Sequence, residues 1–399
     1  MSSEWPLVTL KDVTSILGDG LHGTPVYDAN GEYLFINGNN LTSGKIEVNT
    51  TTKRVSYSEY LKYKKNLTER TILVSINGTL GNIAFYAGEK VVLGKSACYL
   101  NVLDEVDKHF VRYVLESNIF QDYIQNLATG STIKNVSLKL MREFEFALPP
   151  IDSQRRISGV LRTLDDSITL LRETNATLEA IAQALFKSWF IDFDPVRAKM
   201  EGRAPEGMDE ATAALFPDSF EETELAVVPK GWGAARLDSF LELAYGKALK
   251  AETRKPGGVP VYGSGGITGW HDTALVAEPS VIVGRKGTVG SIYWESRPFF
   301  PIDTVFYVKT KHPLTYCHQL LKTLGLREMN TDAAVPGLNR ENVYRLRVPD
   351  APSAVLAAFD KIAHVLRQRI NHNEAQAHTL TASRDTLLPR LITGIVSIT

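Results

Sequence analysis

Two glycine-rich strings are the first places where the residue types of this chain could bind a nucleotide. Residues 18–23 match G-x-G-x-x-G, which in dinucleotide-binding folds follows a strand and opens a helix. Here Thr24 and Pro25 follow and do not start a helix, so the string predicts a loop. Residues 88–96 resemble a phosphate-binding loop, but they have one residue too many between the glycines and run on into a strand, which predicts a hairpin.

The residue combinations of a DNA-modifying enzyme do not occur in the sequence. A restriction-type nuclease core binds Mg²⁺ through paired carboxylates and a lysine, usually ending in Asp/Glu-x-Lys, and this string is found nowhere in the chain. An amino-methyltransferase needs an Asn/Asp-Pro-Pro-aromatic loop, whereas Pro149 and Pro150 lie between aliphatic residues. Cys317 with His312 and His318 is too sparse for a zinc site. We therefore expect a non-catalytic chain that holds no metal and no cofactor.

Side chains suited to reading DNA lie on Gly-flanked turns and in basic stretches. Base edges in a groove are read by Arg, Lys, Asn, Gln, Ser and Thr. The candidate DNA-binding residues are Ser75, Asn77, Thr79, Lys134 and Asn135 in the first half of the chain, and Lys247, Lys250, Arg254, Lys255, Arg285, Lys286 and Thr288 in the second. Any one of them could instead be a solvated surface group, and their clustering in the second half favours DNA.

The charge of the chain is uneven along its length. The net charge of −1 argues against a nucleic-acid partner only if it is spread evenly. Residues 191–228 hold 10 acidic and three basic residues, whereas residues 229–350 hold 16 basic and 11 acidic ones. The acidic connector therefore cancels the positive charge of a basic region in the net charge of the whole chain. The distribution of charge along the chain is the better guide to the partner.

The chain is a tandem duplication of a unit of about 200 residues. Residues 72–83 align with 281–292, both reading as apolar strand, Gly-Thr-x-Gly turn and apolar strand, which is a hairpin pattern. Residues 133–137 align with 335–339 in the same way. Each unit starts with short β-branched strands and glycine turns and ends, after a proline stop, in a long helix.

The two long helices carry the strongest periodic pattern. Apolar residues follow a 4-3 spacing typical of a coiled-coil seam, with Asn175 and Asn373 within the two seams. The seam residues are Ile157, Leu161, Leu164, Ile168, Leu171, Leu178 and Leu185 in the first helix, and Phe359, Leu366, Ile370, Leu380 and Leu387 in the second. The alternative is two amphipathic helices packed on separate domain cores. Narrow seams that are equivalent in the duplication favour pairing, and an antiparallel pair would act as a rod of roughly 48 Å.

Several strings of the sequence resemble the specificity (S) subunit of type I restriction-modification systems. They are residues 185–199, 205–208, 215–220, 335–340 and 387–394. The resemblance covers essentially the whole chain. It implies a mixed α/β (α+β) fold with two tandem target recognition domains joined by an antiparallel coiled coil. The expected segments are recognition domain 1 at 1–150, the central helix at 151–190, the acidic connector at 191–228, recognition domain 2 at 229–350 and the C-terminal helix at 351–399.

The resemblance also implies the partners and the division of labour. Each recognition domain would read one half of a split, asymmetric site in double-stranded DNA, and the coiled coil would set the spacer. Two methylation subunits and two restriction subunits would assemble on this frame, and S-adenosylmethionine, ATP and Mg²⁺ would belong to them. Some members carry a tandem tetrapeptide in the central helix, but residues 177–180 offer a single possible copy.

Two other classes of protein remain as alternatives. A fused restriction-methylation enzyme is disfavoured because the nuclease and methyltransferase motifs are missing. A free-standing interaction protein on a coiled-coil scaffold differs from a specificity subunit in that it would not co-purify with a methyltransferase. Two cysteines predict a reducing, cytoplasmic setting without a disulfide framework, and no apolar run is long enough to predict a membrane span.

Overall fold

A computed structural model describes residues 5–42, 44–130, 134–223, 227–329 and 337–396. Among the aligned strings above, residues 133, 335 and 336 lie outside these ranges. The chain forms two compact units: the first unit consists of Met1–Leu170 with Ala377–Thr399, and the second unit of Leu171–Gln376. The boundary runs through both long helices, so each unit contains a part of each helix.

The first unit is built on a four-stranded antiparallel sheet. Its strands are, in spatial order, Thr14–Asp19, Ala97–Val102, Thr71–Ser75 and Ile83–Phe85. Smaller sheets pair Leu7–Thr9 with Glu145–Ala147, Leu41–Thr42 with Lys45–Ile46, and Tyr33–Ile36 with Arg54–Val55 and Val91–Leu93. The shorter helices are Tyr57–Tyr63, Lys108–Glu116, Asn118–Leu127 and Leu138–Glu143, with a 3₁₀ turn at Gly38–Asn40. The two inner strands are buried along their whole length, as continuous aliphatic runs require.

The core of the first unit takes residues from distant parts of the chain. Phe110 and Phe120 from the short helices pack in one cluster with Leu161 of the central helix, Ile151–Phe190. Leu391 and Ile392, at the end of the C-terminal helix Ser353–Ile392, belong to the same cluster. Both long helices therefore complete this core.

The second unit repeats the same sheet. Its four strands are Leu241–Tyr245, Val305–Thr310, Ser280–Gly284 and Ile292–Glu295, in the equivalent spatial order. Smaller sheets pair Val259–Gly263 with Gly266–His271 and Phe300–Pro301, Gly233–Arg236 with Arg347–Asp350, and Phe220–Glu222 with Val227–Pro229. The shorter helices are Asp194–Met200, Glu210–Ala213, Leu314–Thr323 and Arg340–Tyr344, with 3₁₀ turns at Leu237–Ser239 and Ala251–Thr253. The equal order of equivalent strands agrees with the duplication seen in the sequence.

The segment after the central helix is more structured than its acidic composition predicts. Besides the short helix Glu210–Ala213, a helix forms at Asp194–Met200, where Asp194 and a proline in the first turn favour helix initiation. Phe193 precedes it in the left-handed conformation, with φ of 55°. Phe193 and Phe216 pack against Trp232, with ring centroids 5.8 Å and 6.2 Å away. This segment is therefore part of the core of the second unit.

The two long helices pack against each other in both units. In the second unit Asn373 Nδ2 donates to Asn175 Oδ1 at 2.8 Å, and the rings of Phe186 and Phe359 lie 5.8 Å apart. In the first unit Arg384 donates to Asp165 at 2.9 Å. Residues 165, 175 and 186 of the central helix contact residues 384, 373 and 359 of the C-terminal helix, in that order. The two helices are therefore antiparallel. All twelve predicted seam residues are buried or half-buried.

Candidate nucleic-acid interface

The Gly-Thr-x-Gly turn of the first unit meets a second loop of the same unit. Gly78 and Gly81 have φ of 77° and 82°, a conformation that favours glycine. The Gly78 amide donates to the Lys134 carbonyl at 3.0 Å, and Asn77 Nδ2 donates to Asn135 Oδ1 at 3.2 Å. The structure thus brings together residues that lie almost 60 positions apart in the chain.

Four of the five candidates in the first unit form one polar surface. Thr79, Lys134 and Asn135 are exposed, and Asn77 is half-buried. Ser75 does not belong to this surface, which corrects the sequence-based assignment. Its side chain is fully buried, and its hydroxyl both donates to the Thr79 carbonyl and accepts from an amide of the turn. It closes the turn from inside and offers nothing to a ligand.

The equivalent turn of the second unit is built in the same way but carries cations. Gly287 and Gly290 have φ of 81° and 69°. Lys286 forms a β-bridge with Gly337, as Asn77 does with Asn135, and the Leu338 amide donates to the Arg285 carbonyl at 2.8 Å. Because the backbone arrangement is shared and the side chains differ, the two turns can present different chemistry on one scaffold.

The tip of this turn is open to solvent, and its base is not. Lys286 and Thr288 are exposed. Arg285 is half-buried; its Nη1 donates to the Asp303 carbonyl at 3.0 Å, and its guanidinium lies 4.9 Å from the centre of the Tyr245 ring. Ser264 accepts from the Thr288 amide at 3.3 Å, so the loop at Ser264 borders the turn.

The remaining basic candidates lie on the segment that follows the strand Leu241–Tyr245. Arg254 Nη1 donates to the Thr268 carbonyl at 2.7 Å, and the Lys255 amide donates to His271 Nδ1 at 3.0 Å. Both contacts place these residues along the strand Gly266–His271. Lys247 and Lys250 are exposed, and the Lys247 amide donates to a carbonyl in the strand Phe300–Pro301 at 3.0 Å.

In the first unit, a half-buried acidic group ties the recognition part to the long helices. Asp165 of the central helix accepts from Arg112 at 3.2 Å, from the Tyr113 hydroxyl at 2.8 Å and from Arg384 at 2.9 Å. Arg112 and Tyr113 lie on the helix Lys108–Glu116, which packs on the sheet that carries the turn. The cluster therefore fixes this sheet relative to the helix pair within the first unit.

The second unit has a cluster of the same kind with other residues. Glu179 accepts from Gln319 at 2.9 Å, from Lys322 at 2.5 Å and from Arg367. Burial raises the pKa of Glu179, but the hydrogen bond from Lys322 and the charge of Arg367 outweigh burial and lower this pKa to about 2. The carboxylate stays charged because donors from two other helices of the unit converge on it.

Each unit contains a histidine that is held neutral. His109 lies edge-on to Phe85 at 5.0 Å, and His318 lies edge-on to Trp294 at 5.6 Å, the same pair 209 positions later. Burial and the nearby Arg162 lower the pKa of His109 to about 4. Burial and Arg367 lower that of His318 to about 3.

Over the part of the chain that the structure describes, there is no group of three His, Cys, Asp or Glu side chains placed to hold a metal ion. Cys98 and Cys317 are buried thiols, and burial raises the pKa of each. Within the same ranges, no helix is long and apolar enough to cross a membrane.

Comparison with known proteins identifies the family. The family described as type I restriction modification DNA specificity domain matches residues 2–180 and 229–374, which is most of the chain. The chain belongs to this family. It is a specificity subunit, the DNA-recognition component of a type I restriction-modification system and not a catalytic one.

Individual relatives agree with this assignment. The specificity subunit is 23% identical to the type I restriction enzyme MjaIX specificity subunit of Methanocaldococcus jannaschii, covering 98% of this chain and 93% of the relative. It is 26% identical to the HindI specificity subunit of Haemophilus influenzae, covering 71% and 76%. A crystal structure of an S subunit from M. genitalium shares the fold, with a TM-score of 0.57, 23% identity and coverage of 99% and 97%. The resemblance and the mixed α/β fold predicted from the sequence are confirmed.

The candidate residues predicted from the sequence do not include three residues that lie at or near the turn of the second unit. The ring of Tyr245 lies against the side chain of Arg285, Ser264 accepts from an amide of the turn, and Arg340 lies against the same Tyr245 ring. Tyr245 ends a strand and Arg340 begins a helix, 95 positions later. A signal was present for Arg340, because it closes the string at 335–340 that carries the family resemblance.

Proposed function

We propose that each unit of this specificity subunit reads one half of a split, asymmetric site in double-stranded DNA. The observation that carries the proposal is the repeated turn: Asn77 and Lys286 occupy equivalent bridge positions, but one is an amide and the other a cation. One scaffold with two sets of side chains suits a reader of two different half-sites. Phosphate contacts would position each unit, and base-edge contacts would give the sequence preference.

The coiled coil would set the distance between the two half-sites. Half-sites one helical turn apart lie about 34 Å centre to centre, which is within the reach of helices of 40 residues. Two methylation subunits and two restriction subunits would assemble on this frame. S-adenosylmethionine, ATP and Mg²⁺ would be bound by those partners.

A domain exchange tests the proposal. Residues 1–150 are replaced by the recognition domain of another family member, and the host methylome is sequenced with the methylation subunits present. We expect a new first half-site, an unchanged second half-site and an unchanged spacer. A change in both halves would contradict modular reading. Failure of the intact chain to co-purify with a methylation subunit would favour a free-standing interaction protein instead.

A further inference from the structure

Two arginines converge on one tyrosine ring at the surface of the second unit. Tyr245 is 48% exposed and ends the strand Leu241–Tyr245. The guanidinium groups of Arg285 and Arg340 each lie 4.9 Å from the centre of its ring. The three residues come from three separate elements, so the fold itself gathers two cations at this point.

The positive charge at this point is poorly compensated. Arg285 donates to the Asp303 carbonyl at 3.0 Å, and Arg340 donates to the Leu243 carbonyl at 3.5 Å. Carbonyls and ring faces orient a guanidinium without neutralising it. Within the described ranges Arg285 forms no ion pair, and Arg340 has only the exposed Glu341, at 3.7 Å. An exposed pair of this kind contributes little.

We propose that Tyr245, Arg285 and Arg340 form a phosphate clamp that holds the DNA backbone beside the second half-site. The proposal rests on the proposed DNA-reading function and names a contact within it. Two guanidinium groups from different elements suit the several oxygens of one phosphate. The turn places Lys286 and Thr288 at its exposed tip, whereas Arg285 is held back at the base by Asp303 and the ring. The side chains at the tip therefore remain available to contact base edges.

The clamp is specific to the second unit. At the offsets of the duplication, Ile76 stands where the second unit has Arg285, and Leu138 stands where it has Arg340. The first half-site thus serves as an internal control, because its reading should not depend on the clamp.

Salt-dependent binding of the complex tests the clamp. The complex with methylation subunits is titrated with a duplex that carries the complete site, over a series of NaCl concentrations, for Arg285→Gln and Arg340→Gln. Losing one phosphate contact should weaken binding to all sequences about equally, by about fivefold to tenfold at low salt, and reduce the salt slope by about 1. Selectivity at both half-sites should be kept.

Matched variants separate the charge from the ring and from folding. Arg345→Gln removes an equal charge at the exposed end of the same short helix and should leave affinity near that of the parent. Tyr245→Phe should bind normally because the ring is kept, whereas Tyr245→Leu should weaken binding. Equal melting temperatures of the variants exclude loss of fold as the cause.

Three results would overturn the clamp. Lost selectivity at the second half-site with Arg285→Gln would make Arg285 a base reader. Unchanged affinity and salt slope in both arginine variants would make the stack purely structural, while the unmodified complex still reads its site. An equal loss with Arg345→Gln would show a diffuse field of charge instead of a clamp. If the unmodified complex shows no site preference at all, the proposed function itself fails, and the domain exchange would fail with it.

Discussion

Asn175 and Asn373 are hydrogen-bonded to each other between the two long helices of the second unit, with Asn373 Nδ2 donating to Asn175 Oδ1 at 2.8 Å. Asn373 is fully buried, and Asn175 Nδ2 also donates to the Ile370 carbonyl at 3.3 Å. A polar pair within an apolar seam favours one register, because any shift would leave an amide without a partner in a dry environment.

This pair predicts a non-additive mutation series. Asn175→Leu alone leaves the buried amide of Asn373 unpaired and should cost about 1–3 kcal/mol in the free energy of unfolding. The double variant Asn175→Leu/Asn373→Leu should recover most of that loss. Chemical denaturation of the parent, both single variants and the double variant measures the coupling. Additive losses would show that the two amides act independently.

The two neutral histidines predict a loss of stability in mild acid. The folded-state pKa values of His109 and His318 are lowered from 6.5 to about 4 and about 3. Below pH 6.5 both imidazoles become protonated in the unfolded chain but stay neutral in the folded chain. The free energy of unfolding therefore falls as the pH drops from 6.5 towards 4. Unfolding measured from pH 7 to 4 should show a shallower slope for His109→Gln and for His318→Gln. An unchanged slope in both variants would contradict this origin.

The helix pair predicts a change of spacer on lengthening. Seven residues of coiled-coil sequence are inserted into both helices, between Leu170 and Leu171 and between Gln376 and Ala377. The added heptad has a length of about 10 Å, and DNA rises about 3.4 Å per base pair, so the methylated site should gain about three base pairs of spacer with both half-sites kept. Insertion into one helix alone is the control and should reduce stability, because the Asn175–Asn373 contact of the second unit and the Asp165–Arg384 contact of the first can then no longer form in one continuous register. A constant spacer would show that the helices do not set the distance.

The two equivalent tryptophans predict unequal losses. Trp232 is 1% exposed and is enclosed by Phe193 and Phe216, whereas Trp5, which precedes the equivalent strand of the first unit, is half-buried. Trp232→Ala should cost about 3–5 kcal/mol, as for large core residues, and Trp5→Ala should cost less. Thermal unfolding followed by circular dichroism compares them, with Trp232→Phe as the milder variant. Equal losses would mean that Phe193 and Phe216 add little to the packing.

The sequence predicted the repeated and periodic parts of the fold well. The 4-3 spacing located seam residues from Ile157 to Leu387 that are all at least half-buried, since a seam is a local, periodic property. The Gly-Thr-x-Gly strings located both turns, since glycines with positive φ leave a direct trace in the sequence. In each case neighbouring residues carried the information.

The predictions that failed depended on residues distant in the chain. Ser75 was assigned to the surface by its residue type, but its place at the end of a buried strand turns the hydroxyl inward. The acidic composition of the connector concealed Phe193 and Phe216, whose role is defined by Trp232. The stacking of Arg340 on Tyr245 joins two elements through tertiary packing, which spacing along the sequence does not encode.

The sharing of both long helices between the units has a consequence for synthesis on the ribosome. Ile157 and Leu161 share a core cluster with Leu391 and Ile392, which are translated more than 200 residues later. The first unit is therefore translated first but is the last to complete its core. Its apolar surface stays exposed until Leu391 and Ile392 have been translated. A premature stop codon between residues 377 and 390 would spare the residues of the second unit and damage the first.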